Sequence, residues 1–154
     1  MIHLNIGSNL FSKFGNKIEN ISLALNLLSL KIKIKKISNF YETPSYPNKK
    51  LPKFINIGVL CDYKSNHKNL IKETSLIEKK IGRIKTKRND PRVCDIDIID
   101  FYGTIINNKQ LNLPHPRLTE RNFVLYPIKE IDPDWVHPVL NRNVDFFINQ
   151  LNQN

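Results

Sequence analysis

The sequence predicts an α+β fold: an antiparallel sheet with helices packed on it. Three observations predict it. Short runs alternate apolar and polar residues, the signature of half-buried strands. Two longer stretches carry apolar residues at helical spacing. These segments follow one another in the order β-α-β-β-α-β, with a hairpin and short helices after them.

Residues 2–6, Ile-His-Leu-Asn-Ile, alternate as a strand, and Gly7-Ser8-Asn9 breaks it. Residues 16–30 place Ile18, Ile21, Leu25 and Leu28 on one helical face, with Ala24 and Leu27 beside them. Ile32, Ile34 and Ile37 predict a second strand running to Tyr41, whose interleaved lysines mark a solvated face or an edge. Pro44, Pro47 and Pro52 exclude helix and central strand from the loop 43–52. Residues 54–63 form a third strand. Residues 66–81 form a helix with Leu70, Ile71, Thr74, Ile77 and Ile81 on one side and Gly82 as its stop. A basic loop, 83–92, leads into a fourth strand over 93–102. Residues 105–113 read as a hairpin, Pro114-His115-Pro116-Arg117 as a rigid turn, and 122–131 and 144–151 as short helices. The order of the first four strands and two helices is that of the ferredoxin-like sandwich, a fold that hosts many functions.

The 154 residues make one domain, 1–154. The chain has 40% hydrophobic and 25% charged residues, which excludes a disordered chain. Its two cysteines exclude a disulfide scaffold, and Cys61 and Cys94, each in a strand-like run, read as buried reduced thiols of a cytoplasmic protein. No apolar run approaches the ~18 residues of a membrane span, and the start lacks the pattern of a secretory signal. The net charge of +10 favours an anionic partner. Yet 18 Lys stand against 6 Arg, beside 20 Asn and 21 Ile, a composition that A+T-rich coding produces. The six arginines are therefore the informative cations.

The chemistry centres on Cys94-Asp95-Ile96-Asp97-Ile98. Strand side chains alternate, so Asp95 and Asp97 share one face, with Asp100 a third acid on the opposite one. Two carboxylates so close repel unless something positive lies between them. A hard divalent ion does that, and Mg²⁺ bridges such a pair to substrate phosphates. Isolated D-x-D pairs mostly belong to surface ion networks; here the surroundings are basic, with Arg83, Lys85, Lys87, Arg88 and Arg92 upstream and His115, Arg117 and Arg121 downstream. Acids that bind metal beside arginines are what phosphoryl transfer requires. The five glycines form neither known phosphate-binding loop, and no Cys/His cluster has zinc spacing. Asn56 sits on the same strand face as Phe54, where a flat heterocycle stacks on the ring and bonds to the amide. The rival reading, a nucleic-acid-binding module, lacks the basic-aromatic strand motif of RNA-recognition sheets, and an acidic pair on the sheet repels a phosphate backbone.

Together these pieces resemble the 6-hydroxymethyl-7,8-dihydropterin pyrophosphokinases of folate biosynthesis. The match runs in order through Gly7-Ser8-Asn9-Leu10, Tyr41-Glu42-Thr43-Pro44, Phe54-Ile55-Asn56, Glu78 and Gly82-Arg83. Its most specific runs are Pro91-Arg92-Val93-Cys94-Asp95-Ile96-Asp97-Ile98, Pro114-His115-Pro116-Arg117 and Arg121-Asn122-Phe123-Val124-Leu125. The resemblance implies a monomeric enzyme that moves a diphosphoryl group from its co-substrate ATP to the pterin hydroxymethyl group. It implies two Mg²⁺ ions on Asp95 and Asp97, and pterin at Thr43, Pro44, Phe54, Asn56, Asp95 and Phe123. ATP falls to Glu78, Lys85, Arg88, Arg92, Ile98, His115 and Arg121, and Arg83, Arg92 and Asp97 act in catalysis. Its partners would be these small molecules alone, with no nucleic acid and no membrane. The chain departs from the pattern at Asn89-Asp90, where the family often has Trp-Gly.

Overall fold

The computed structural model describes residues 1–45, 48–84 and 90–153. Its strands are β1 (Ile2–Ser8), β2 (Lys33–Ile37), β3 (Tyr41–Thr43), β4 (Phe54–Asp62), β5 (Asp95–Phe101), β6 (Ile106–Asn107) and β7 (Asn112–Leu113). Its helices are α1 (Lys17–Ser29), α2 (His67–Ile81), α3 (Asn122–Ile131) and α4 (Val144–Asn152), with a 3₁₀ turn at Leu118–Glu120. The main sheet runs β2-β4-β1-β5, with β3 pairing β4 beyond the end of β2, and every pairing is antiparallel. This is the predicted ferredoxin-like order once β2 and β3 are taken as one interrupted strand.

Local chemistry sets the helix ends. Asn16 and Glu19 close a reciprocal capping box on α1: Glu19 N–H donates to Asn16 Oδ1 (2.9 Å) and Asn16 N–H to Glu19 Oε1 (3.0 Å). Asn66 caps α2 by accepting from Asn69 N–H, and Gly82 ends it with φ of 117°, a conformation that favours glycine.

One sheet face is apolar except at its Ser8 end. Ile2, Leu4, Ile6, Ile57, Val59, Cys61, Ile96 and Ile98 pack there against Ile21, Leu28, Leu70, Ile77 and Ile81 of α1 and α2. Cys61 and Cys94 are both buried free thiols, as predicted, and burial pushes the Cys61 thiol up to about 12. The other face carries α3 and α4 at one end, around Ile99, Leu125, Ile128, Trp135 and Phe147. Gly58 lets α3 approach: a Cβ there would lie 2.7 Å from Pro127 Cβ and 3.3 Å from Ile131 Cδ1. The proline ring cannot swing aside, so Gly58→Ala is expected to cost about 1–3 kcal/mol by overpacking, measured by urea unfolding. The rest of this face is left open, and it holds the site.

Two sequence expectations are corrected. The second strand does not run unbroken to Tyr41. Ser38 Oγ accepts from Gly58 N–H (2.8 Å), and Glu130 of α3 accepts from both Asn39 N–H (2.8 Å) and Tyr41 O–H (2.6 Å). Ser38 N–H still donates to Gly58 O (2.9 Å), but these side-chain bonds take the place of the rest of the ladder over residues 38–40. Asp100 does not oppose Asp95 and Asp97. The β1–β5 register shifts between His3 and Leu4, leaving Ile99 as an extra residue, so Ile98 stays in the first core while Ile99 joins the second. Asp100 thereby turns to the face of the acidic pair, but it is spent on structure, accepting from Trp135 Nε1–H (2.8 Å) and Gly103 N–H (2.9 Å).

Candidate active site

Two cavities meet at the start of β5, and Arg92, Asp95 and Asp97 line both. The first, of about 580 Å³, lies on the open sheet face between the loop after β3 and the start of α3. The second, of about 420 Å³, lies between α2, β5 and the turn after β7.

Asp95 and Asp97 share a face, as the alternation predicts, opposite Gly7 and Asn5 of β1. Asp95 is held between two guanidinium groups: Arg83 Nη1 donates to its Oδ1 (3.0 Å) and Arg92 Nη1 to its Oδ2 (3.2 Å). Asp97 has weaker compensation, with Arg121 Nη1 3.9 Å from its Oδ2. Burial first, and the neighbouring Asp95 second, raise the Asp97 carboxyl to about 7. Among the described residues no group of three or more His, Cys, Asp or Glu side chains is placed to hold a metal. The pair itself suits a hard divalent ion: oxygen donors on one strand face, with charge left over.

The first cavity gathers Thr43, Pro44, Phe54, Asn56, Asp95 and Phe123, all six residues the resemblance marks for the pterin. Asn56 is buried, and its Nδ2 has no hydrogen-bond partner among the described residues. Such a donor is costly unless something binds it. Gly7 stands opposite it in the ladder, where a Cβ would lie 2.5 Å from Asn56 Oδ1 and 3.5 Å from Phe54 Cδ1. The chain thus keeps clear space beside an unpaired amide and an aromatic ring. Asn5 Nδ2 donates to Phe123 O (2.8 Å), fixing the first turn of α3, and the Arg121 guanidinium lies 5.5 Å from the Phe123 ring centroid.

The second cavity gathers Glu78, Arg83, Arg92, Ile98 and His115. Glu78 has a different part from a simple ligand contact. Its Oε2 accepts from Ile96 N–H (2.7 Å) and from Arg83 Nη1, so it aims Arg83 at Asp95. His115 is placed through its backbone, His115 N–H donating to Ile99 O (2.8 Å) at the register shift. Its Nδ1 accepts from Arg117 N–H (3.1 Å), which leaves Nε2 carrying the ring proton. Burial, then the charge of Arg121, lowers His115 to about 4. It is therefore a neutral donor at neutral pH. Because the folded value lies below the ordinary one, its contribution to stability is full above about 6.5 and is lost as pH falls through about 4. An NMR titration of the ring is expected to show a midpoint near 4; a midpoint above 6 would refute this buried, neutral state.

Arg121 lines the first cavity and not the second, beside Asp97. Lys85, Arg88 and Asn89 lie outside the described residues. Asp90 is on the wall of the first cavity. Sequence reasoning missed Asn5, whose signal was a polar residue in register with Asp97, and Asn9, whose partners lie in distant loops. It also missed Ser45, Lys49, Tyr126, Leu151 and Asn152 on the first cavity and Thr74 and Gln110 on the second.

Comparison with known proteins agrees with this geometry. The model of the family described as 7,8-dihydro-6-hydroxymethylpterin-pyrophosphokinase (HPPK) matches residues 3–133. The chain is similar to the folic acid synthesis protein fol1 of Pneumocystis carinii, 38% identical over 152 residues, which cover 97% of this chain and 20% of that protein. It is also similar to the 2-amino-4-hydroxy-6-hydroxymethyldihydropteridine pyrophosphokinase of Aquifex aeolicus, 31% identical over 146 residues, covering 95% of this chain and 89% of that one. The chain thus spans about a fifth of the length of some relatives and nearly all of others. Among solved structures, the Plasmodium falciparum HPPK-DHPS with pteroate superimposes with a TM-score of 0.76 at 16% identity, over 97% of this chain and 44% of that one. At that identity the likeness speaks for the fold.

Proposed function

The chain belongs to the 7,8-dihydro-6-hydroxymethylpterin-pyrophosphokinase family, and from that premise we propose that it transfers a diphosphoryl group from ATP to the hydroxymethyl group of 6-hydroxymethyl-7,8-dihydropterin. The observation that carries the reading is the unpartnered Nδ2 of buried Asn56, beside Phe54 and the space kept by Gly7, in a cavity whose far wall is the Asp95–Asp97 pair. A pterin offers a planar ring for Phe54 and Phe123 and acceptors for the amide. Its hydroxymethyl group then points toward the junction of the two cavities.

The second cavity takes the nucleotide. Arg83, Arg92 and the Nε2–H of His115 converge there as donors for phosphate oxygens. The alcohol oxygen attacks the β-phosphorus, the bond from that phosphorus to the α,β-bridging oxygen breaks, AMP leaves, and the hydroxyl proton is released to solvent. An alcohol needs no activated protein nucleophile; the barrier falls through in-line placement and charge neutralisation. Asp95 and Asp97 would hold two Mg²⁺ ions, which when bound neutralise charge on the transferring group. The arginines now on Asp95 are free to turn to phosphate once the carboxylate has another cation.

The reading includes a monomeric, cytoplasmic protein in which residues 1–154 form one domain and whose partners are small molecules and not nucleic acid. Among the described residues, no helix is long and apolar enough to cross a membrane. The test is calorimetric. The protein with Mg²⁺ and a non-hydrolysable ATP analogue is titrated with 6-hydroxymethylpterin. Heat of binding that disappears with chelator supports the reading; ATP-analogue binding without pterin binding overturns it.

A further inference from the structure

The first cavity has one wall that neither the acidic pair nor the pterin motifs account for. Tyr126, one turn beyond Phe123 on α3, lines it together with Leu151 and Asn152 from the last turn of α4. The family match ends at residue 133, before α4 begins.

This wall is firmly held. Asn143 caps α4 by accepting from Phe146 N–H (3.0 Å), and Val144, Phe147 and Ile148 are buried in the second core. Lys129 Nζ lies 2.7 Å from Asp145 Oδ1, joining α4 to α3. Leu151 and Phe123 both pack on the edge of that core, and both face the cavity. Tyr126 O–H reaches Asn152 Oδ1 at 3.4 Å, across the gap between the helices. An apolar side chain on a rigid element sets the limit of a cavity more sharply than one on a loop.

We propose that Leu151 is a positioning residue for the flat heterocycle of the first cavity, backing the edge of Phe123 and closing the cavity at the α4 end. The proposal rests on the pterin reading above. It assigns α4 a part in substrate selection and not only in covering the sheet.

The experiment measures dissociation constants of 6-hydroxymethylpterin and of a non-hydrolysable ATP analogue, with Mg²⁺, for the parent, Leu151→Ala and Leu151→Trp, beside thermal melts. Leu151→Ala is expected to weaken pterin about tenfold, the scale of a few methylenes lost from an apolar pocket. Leu151→Trp, which fills the cavity, is expected to weaken it by at least as much. ATP-analogue affinity should stay within about twofold, because Leu151 does not line the second cavity. Equal weakening of both ligands would make Leu151 merely structural and overturn the proposal, as would unchanged pterin binding in both variants. A parent that binds no pterin overturns the functional reading and this proposal with it. If Leu151→Ala melts below the assay temperature, Tyr126→Ala, at a position more than a third exposed, carries the same test from the other helix.

Discussion

Asp97→Asn is expected to lower turnover by roughly 10³-fold or more while making the metal-free protein more stable above neutral pH. The two effects have one cause. Asp97 lies on the same strand face as Asp95, and its compensating cation, Arg121, stands off at 3.9 Å. Burial and Asp95 together hold its carboxyl at about 7 in the folded chain, against an ordinary value of 3.8. A raised folded value favours the neutral form, so the fold is most stable below the unfolded value and loses that stability as pH rises through about 7. Asparagine keeps the shape and stays neutral. Thermal melts in chelator should therefore show the variant ahead of the parent at about pH 8, with the gap closing toward about pH 4. Adding Mg²⁺ should reverse the order by raising the parent's melting temperature and leaving the variant's in place. The activity loss follows from removing a carboxylate that would hold the ions on the moving phosphoryl group, worth several kcal/mol of transition-state charge stabilisation. Normal turnover in Asp97→Asn would sink the assignment of the acidic pair; a variant less stable than the parent at about pH 8 would show instead that the pair is structural.

How much of this was legible in the sequence depended on how local the cause was. Strand alternation alone put Asp95 and Asp97 on one face, because the ladder keeps a period of two over that stretch. The same rule failed for Asp100, five residues from the first acid, because a register shift near Ile99 inserts one residue. A bulge of that kind depends on the partner strand and leaves no mark in the local pattern. Asn56 stood out as a polar residue in an apolar run, and the structure buries it beside Phe54 with its amide unpaired. The break between β2 and β3 was not legible, since Glu130, which captures Asn39 and Tyr41, lies about ninety residues away in the chain. Nor was the part of Leu151, whose spacing marks only an amphipathic helix. Helical periodicity says which face is apolar, not which of its residues ends over a core and which at the lip of a cavity.

Asn9 is the residue whose loss is expected to damage both halves of the site at once. It is buried where β1 ends, and its side chain joins two loops, beside a backbone bond from its own N–H to Arg92 O (3.0 Å). Its Oδ1 accepts from Arg92 N–H (2.6 Å); its Nδ2 donates to Ser45 Oγ (3.2 Å) and Pro52 O (3.3 Å). The first bond places Arg92 between the two cavities, and the others hold the loop that carries Thr43 and Pro44. Asn9→Ala leaves Arg92 N–H unpaired and is expected to destabilise the fold by about 3 kcal/mol. Its effect on turnover should be larger than unfolding explains: about 10²-fold or more in kcat/KM under conditions where melts show the variant fully folded, since a displacement of about 1 Å is enough for that. Asn9→Asp separates the two ends. The carboxylate still accepts from Arg92 N–H but sets an acceptor against the Pro52 carbonyl and against a Ser45 hydroxyl whose proton is already given to Pro52 O. It should therefore spare ATP-analogue affinity and weaken the pterin, whereas Asn9→Ala weakens both. Equal effects of the two substitutions on both ligands would mean that the loops keep their places without Asn9.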